Sequence, residues 1–261
     1  MTSEQRRAAL VTGATKGIGL AVARHLGRGG ARVFLCARDG DAVAATVKEL
    51  QAEGVEAAGA GCDVRSREEV ADLVRAAVDR FGPVEILVNN AGRSGGGVTA
   101  DLTDELWHDV IDTNLNSVFL VTREVLNAGQ LRTRSWGRVI NIASTAGKQG
   151  VVLGAPYSAS KHAVVGFTKA LGNELAATGV TVNAVCPGYV ETPMAQRVRS
   201  GYAEHWGVTE EEVLRRFQAR IPLGRYATPE EVAGLVGYLT TDAAASITAQ
   251  ALNVCGGLGN Y

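Results

Sequence analysis

Cysteine is sparse: four residues, Cys36, Cys62, Cys186 and Cys255, are scattered over 261 positions. No two form a C-x-x-C pair and no histidines cluster beside them, so neither a structural zinc nor a disulfide framework is indicated. Cys36, Cys186 and Cys255 sit in or beside apolar runs, where a small buried thiol is the ordinary reading. No run of 18 apolar residues exists, which leaves no membrane-spanning helix. The opening Met1-Thr2-Ser3-Glu4-Gln5-Arg6-Arg7 is polar, and the brief apolar segment behind it runs into glycines, so no signal peptide fits. These absences predict a cytoplasmic protein. Excess charge is also lacking: 26 Lys+Arg against 27 Asp+Glu give a net charge of -1. That balance offers no electrostatic case for a nucleic-acid or membrane-surface partner. Internal repeats and low-complexity linkers are absent, and the length suits one α/β domain.

What is present is an alternation of short β-branched runs with long amphipathic stretches. Strands are predicted at Ala8–Val11, Arg32–Cys36, Val55–Ala60, Glu85–Val88, Arg138–Ile142, Val180–Val185 and Ala251–Val254. Helices are predicted at Ile18–Arg28, Asp41–Ala52, Ser66–Arg80, Thr103–Asn127, Tyr157–Ala177 and Thr228–Leu239. Ser66 reads as an N-cap with Glu69 at the capping-box position. Such alternation implies βαβ units with right-handed crossovers. Strands such as Val-Ile-Asn-Ile and Val-Thr-Val-Asn-Ala-Val are apolar almost throughout, as a parallel sheet covered on both faces requires. The expected fold is an α/β Rossmann doubly wound sheet in a single domain over 1–261. Glu191–Leu223 departs from the rhythm. It carries its own helical pattern at Glu210–Arg220 and is too long for a simple connection, so it is expected to be a helical lid.

The turn Thr12-Gly13-Ala14-Thr15-Lys16-Gly17-Ile18-Gly19 joins the first strand to the first helix. Its glycines let the backbone approach a pyrophosphate, and the helix N-terminus offers free N–H groups and a positive dipole end. The spacing is G-x-x-x-G-x-G. The second strand ends in Cys36-Ala37-Arg38-Asp39. A carboxylate there would accept from the ribose 2′-OH of NAD, whereas an arginine attracts a 2′-phosphate. With Ala37 at the acid's place, Arg38 next and Lys16 beside the phosphates, NADPH is the expected cofactor. The competing arrangement makes Arg38 a plain surface residue and Asp39 the ribose acceptor.

Tyr157-Ser158-Ala159-Ser160-Lys161 places a phenol and an ammonium at i and i+4, on one helical face. A cation about 5 Å from a phenol favours the phenolate by roughly 2 pKa units at an effective dielectric near 20. Lys161 is therefore expected to make Tyr157 a usable general acid. Ser144, just past the predicted strand Arg138–Ile142, is positioned to donate to a carbonyl oxygen or hold an alkoxide.

On Thr12–Gly19, Cys62-Asp63-Val64, Asn89-Asn90-Ala91-Gly92, Asn114, Ser144, Tyr157/Lys161 and Pro187-Gly188, taken in this order, the chain resembles the short-chain dehydrogenase/reductase family. The resemblance implies a seven-stranded parallel sheet in a homotetramer and a catalytic set of Asn114, Ser144, Tyr157 and Lys161. Asn114 would anchor a water that relays protons through Lys161; a helix-kinking amide is its plainer role. Asp63 and Val64 would bracket the adenine, Asp63 being alternatively a helix cap. Asn90, Ala91 and Gly92 would line the cofactor ribose, and Pro187, Gly188, Val190 and Thr192 would hold the nicotinamide end.

Within that family, Arg93-Ser94-Gly95-Gly96-Gly97, Gly147-Lys148-Gln149-Gly150-Val151, Ala155–His162 and the segment Ala249–Tyr261 look like the ketoreductases of bacterial aromatic (type II) polyketide synthases. Those enzymes often carry Pro where this chain has Ser94, a position that bears on substrate orientation. The likeness implies reduction of one ketone of a poly-β-ketone on acyl carrier protein. Ser94, Gly95, Gly96, Thr145, Gln149, Val151, Met194, Tyr202 and Trp206 would contact the substrate, with ordinary lid packing the alternative for Met194 and Trp206. Arg38, Arg65 and Arg93 would rim the cleft and dock the carrier's phosphate. A 3-oxoacyl-carrier-protein reductase of fatty-acid synthesis and a non-catalytic NADP-binding regulator are the competing functions.

Overall fold

The computed structural model describes residues 6–259. The polar opening residues 1–5 and the last two residues of the C-terminal motif lie outside the described residues. The strands are β1 (Ala8–Thr12), β2 (Arg32–Ala37), β3 (Ala57–Gly61), β4 (Ile86–Asn89), β5 (Gly137–Ile142), β6 (Val180–Pro187) and β7 (Ala251–Val254). The helices are α1 (Gly17–Arg28), α2 (Gly40–Ala52), α3 (Arg67–Phe81), α4 (Asp104–Ile111), α5 (Ser117–Asn127), α6 (Ala155–Leu175), α7 (Pro193–Trp206), α8 (Glu210–Gln218) and α9 (Pro229–Leu239). The strands form one seven-stranded sheet, order β3-β2-β1-β4-β5-β6-β7, with every pairing parallel. The order reverses between β1 and β4, and a ligand crevice opens outside the strand ends at such a switch point.

Alternate residues of each strand feed two cores. Val11, Val33, Leu35, Val88 and Ile140 pack with Val22, Leu50 and Val236 on one face. Leu10, Phe34, Leu87, Val139 and Val182 pack with Val74, Val121 and Leu171 on the other. This two-sided burial is why the strands read as unbroken apolar runs. The central strand β1 is buried at all five positions.

Several boundaries differ from the sequence reading for local reasons. Val55 and Glu56 precede β3, which begins at Ala57. The half-buried amphipathic pattern of 103–127 is one helical path interrupted by a π-helical turn, Asp112–Asn116, that contains Asn114. Pattern reading runs straight through a π-turn because it inserts only one residue's worth of phase. Ser66 accepts from the Glu69 N–H as expected, but the Glu69 carboxylate accepts from the Asp63 N–H rather than closing the box. The insertion contains a further helix, α7, ahead of the expected one. Its low apolar content conceals it in the sequence, yet Thr192 caps it and Pro193 opens it. The four cysteines are free and buried.

A polar chain crosses the core between the two central strands. Asn89 Nδ2 donates to Thr122 Oγ1 at 2.9 Å and Asn141 Oδ1 at 2.8 Å. Asn141 Nδ2 donates to Thr168 Oγ1 at 2.9 Å, and Thr168 donates to the Val164 carbonyl. This ties β4 and β5 to α5 and α6, the elements that carry the site. Because every member is satisfied, removing one is costly. Asn141→Ala is expected to lower unfolding free energy by about 2–4 kcal/mol through an opened cavity and broken bonds, read from urea denaturation midpoints.

Candidate active site

The Gly-rich turn is shaped by close approach. Gly13 (φ 63°) and Gly17 (φ 55°) adopt left-handed backbone that side chains disfavour. A Cβ at Gly13 would stand 2.8 Å from Ala91 Cα, and one at Gly19 would stand 2.4 Å from both Asn90 Nδ2 and the Gly13 carbonyl. The turn is clamped to the end of β4. Thr12 Oγ1 accepts from the Asn90 and Ala91 N–H groups, each at 3.0 Å, and Asn90 Nδ2 donates to the Thr12 and Gly13 carbonyls. The side chains of Thr12 and Asn90 therefore build the turn, which leaves backbone to face a ligand. Helices α2, α3, α4, α7, α8 and α9 each start on a Ser, Thr or Asp whose side chain accepts from the first turn. Helix α1 has no such cap and no acidic residue in its first turn, so its N–H groups stay open to an anion. Lys16 is exposed beside them.

At the end of β2, Asp39 is committed elsewhere: its carboxylate accepts from the Asp41 and Ala42 N–H groups at 3.0 Å and caps α2. Arg38 is exposed and makes no ion pair among the described residues. Asp63 follows β3, and Arg65 beside it holds its carboxyl below the usual carboxylate range. Arg65 also reaches Asp109 at 2.7 Å, and Arg93 pairs with the same Asp109. Arg65 and Arg93, two of the three arginines expected on the cleft rim, thus share a carboxylate that sequence reading overlooks. Asp109 sits one turn before the π-segment, and no local pattern marks it as their partner.

Past β5, Ser144 is buried. Its hydroxyl accepts from the Ala146 N–H at 3.0 Å and lies 3.5 Å from the Pro187 carbonyl. Helix α6 begins two residues before Tyr157, so the phenol stands in its first turn against Ser144. Burial pushes the Tyr157 phenol above its ordinary value, and the Ser144 hydrogen bond is what pulls it back. Lys161, the cation expected to favour the phenolate, lies one turn further along α6. Its Nζ lies 5.8 Å from the phenol ring centre and donates to the Ile142 carbonyl at 2.8 Å. The same desolvation lowers Lys161 to about 8. Asn114, fully buried, accepts from the Arg93 N–H at 2.8 Å and donates to the Arg93 carbonyl and to Ser160 Oγ. Its side chain is spent on fixing the 92–94 loop to α6. Ser160, also missed by sequence reasoning, donates to the Tyr157 carbonyl at 2.7 Å and so bridges Asn114 to the helix turn between Tyr157 and Lys161. A serine inside a helix that bonds backwards to its own turn is the available signal.

Thr15, Ile18, Val64, Gly92, Pro187 and Gly188 all fall at the same strand-end face. Val190 is buried in the core and bridges to Ala227, and Thr192 caps α7 with its methyl 3.3 Å from where a Gly17 Cβ would stand. Opposite, the Gly97 N–H donates to the Leu153 carbonyl at 2.8 Å. The close packing explains the glycines: a Cβ at Gly95 would stand 2.4 Å from Val110 Cγ2, and one at Gly96 1.8 Å from the Leu153 oxygen. Ser94 is half-buried in this loop, and Thr145 is buried behind Ser144. Met194 is half-buried on α7. Tyr202 donates to the Val152 carbonyl, bringing the insertion down onto the loop that carries Gln149 and Val151. Trp206 stacks edge-on to Phe217 at 6.0 Å, which makes packing its visible role.

A family model of short chain dehydrogenases matches residues 7–203. The chain belongs to the short-chain dehydrogenase family. This dehydrogenase is 72% identical over its full length, and over the full length of the other chain, to a Streptomyces virginiae protein assigned to the monensin polyketide synthase as its ketoacyl reductase. It is 42% identical, with 99% of each chain covered, to a 3-oxoacyl-[acyl-carrier-protein] reductase of Synechocystis. Among solved structures it matches a variant of the actinorhodin polyketide ketoreductase with NADPH at TM-score 0.97 and 62% identity, covering 100% of both chains. A nicotinamide dinucleotide fits the crevice of this dehydrogenase: the uncapped α1 amides, the close-approach glycines and the uncommitted Arg38 supply the donors a phosphorylated dinucleotide needs. Among the described residues no carboxylate, histidine and cysteine group able to hold a metal is present.

The shifted lysine gives a pH dependence. Its cation is present below about 8 and lost above it, while the phenol stays protonated across that range. In the reductive direction, kcat/KM for the cofactor is expected to be level below that pH and to decline above it, measured as a pH profile on the free enzyme.

Proposed function

We propose that this dehydrogenase is an NADPH-dependent ketoreductase that reduces one ketone of a poly-β-ketone carried on acyl carrier protein, a step in making an aromatic polyketide. The observation that carries the reading is the half-buried Tyr157 phenol held against Ser144, with the buried Lys161 anchored one turn along the same helix. NADPH, when bound, supplies the hydride. Arg38 and Lys16 are the residues for its 2′-phosphate and pyrophosphate, and Asp63, Val64, Asn90, Ala91 and Gly92 line the adenosine side. Pro187, Gly188, Val190 and Thr192 close the nicotinamide end.

Ser144 donates to the substrate carbonyl and fixes it against Tyr157. As negative charge develops on that oxygen, Tyr157 delivers its proton. Lys161 stabilises the resulting phenolate from its anchored position and holds the cofactor ribose. Asn114 keeps the π-turn and the 92–94 loop in register with α6. The 191–223 insertion acts as the lid, and with Ser94, Gly95, Gly96, Thr145, Gln149, Val151, Met194 and Tyr202 it walls off a reactive chain from water. With Arg38 taken by the cofactor, Arg65 and Arg93 are left for the carrier's phosphate, which competes there with Asp109. Trp107 and Phe119, each more than two-fifths exposed on α4 and α5, support a subunit contact of the kind a homotetramer needs. A regulator without chemistry has no use for a proton donor set against Ser144. A fatty-acid 3-oxoacyl reductase shares the donor and differs in its pocket, so turnover of trans-1-decalone against an acetoacetyl thioester separates the two.

Tyr157→Phe is expected to cut turnover by roughly 10²–10⁴-fold while the cofactor Kd, read by fluorescence titration, stays near wild type. Arg38→Glu is expected to weaken NADPH binding by about tenfold or more and to leave NADH largely unaffected.

A further inference from the structure

One ammonium ties the loop after the catalytic serine to the C-terminal strap. Lys148 follows the Thr145–Gly147 turn, and its own N–H donates to the Thr145 carbonyl at 3.0 Å. Its Nζ donates to the Ala251 carbonyl at 2.7 Å and to Asn253 Oδ1 at 2.8 Å, more than 100 residues away. β7 is an edge strand. The Gln250 carbonyl accepts from Ala184 on β6 and the Val254 carbonyl from Gly188 just past it, so by strand alternation the Ala251 carbonyl points to the open side. Lys148 supplies the partner that the ladder does not.

The strap it grips is itself well fastened. Asn253 Nδ2 donates to the Gly259 carbonyl at 3.1 Å, and the Leu223 N–H donates to the Gly256 carbonyl at 3.0 Å. Leu258 packs into the hub of the insertion with Phe217 and Tyr226. The loop on the other side of Lys148 carries Gln149 and Val151 and is further held by the Ser158 hydroxyl on the Val151 N–H and by the Gly97–Leu153 bond. Of these ties the Lys148 ammonium is the charged one, and charge-assisted bonds hold geometry most firmly.

We propose that Lys148 is a positioning residue that sets which face of the ketone is presented for reduction, by clamping the Gln149–Val151 wall to the C-terminal strap. The proposal rests on the ketoreductase reading above. Two faces of a prochiral ketone differ only in how the substituents meet that wall, so a wall freed by a fraction of an ångström changes their relative rates.

The probe is the N-acetylcysteamine thioester of acetoacetate, with the enantiomeric ratio of the 3-hydroxy product read by chiral chromatography. The ratio does not depend on how much of the protein is folded, so a merely structural loss leaves it unmoved. Lys148→Met and Asn253→Ala are each expected to change it by about threefold or more, with a raised KM for the thioester and an unchanged kcat/KM for the cofactor. Lys148→Arg is expected to keep the wild-type ratio. Wild-type ratios in both Lys148→Met and Asn253→Ala overturn the proposal, whatever their melting temperatures. If Lys148→Met does not fold, Asn253→Ala, which leaves the loop sequence intact, decides by the same criterion. No product from the wild-type enzyme would instead bring down the ketoreductase reading, and the proposal with it.

Discussion

A buried ammonium must be bonded, and the hydrogen bond from Lys161 Nζ to the Ile142 carbonyl is the constraint around which the site is arranged. Lys161 is 5% exposed. By gripping the last residue of β5 it fixes the phase of α6 against the sheet, and phase places Tyr157 one turn earlier, over Ser144. The surrounding backbone yields to this anchor. A Cβ at Gly147 would come within 2.6 Å of the Lys161 carbonyl, and one at Gly92 within 3.2 Å of Asn114 Oδ1. Gly147 is thus a consequence of where Lys161 sits, and Gly92 of where Asn114 sits. The same burial that makes the bond necessary keeps the phenol a proton holder and weakens the lysine's own hold on its proton, so both groups are poised by desolvation.

Around this anchor the polar side chains divide into those that build the site and those left open. Thr12, Asn90, Asn114 and Ser160 spend their hydrogen bonds on backbone and on one another, locking the Gly-rich turn, the 92–94 loop and α6 together. Asp109 neutralises Arg65 and Arg93 on the rim. Among the described residues, Arg38, Lys16 and the bare N-terminus of α1 make no ion pair or cap at the crevice, three cationic or donor features along one edge. That remnant of unsatisfied positive potential is the physical basis for a phosphorylated dinucleotide, and it arises because the neighbouring carboxylates, Asp39 and Asp63, are already occupied.

The sheet is legible in the sequence because parallel strands buried on both faces leave apolar runs, and because Gly13, Gly17 and Gly19 punctuate the first strand-to-helix turn. Tyr157, Lys161 and Ser144 are legible because their spacing is local and their strand-end placement follows from topology. Helix α7 is hidden by its polar surface, and the π-turn at Asn114 by its continuity with the helices on either side. Asp109 and the Lys148–Asn253 tie are invisible because each depends on a contact between distant segments. The direction of the Tyr157 shift escapes sequence reading for a related reason: spacing reveals a nearby cation, while burial, which outweighs it here, is a property of the packed protein.

The central claim is that the cofactor-free protein holds Tyr157 as a neutral proton donor. Carbon-13 NMR of protein labelled at tyrosine Cζ, with the Tyr157 signal assigned by its loss in Tyr157→Phe, measures this directly. The signal should show no titration until above the ordinary phenol value near 10. A Tyr157 midpoint near neutral pH in the cofactor-free protein would contradict the account.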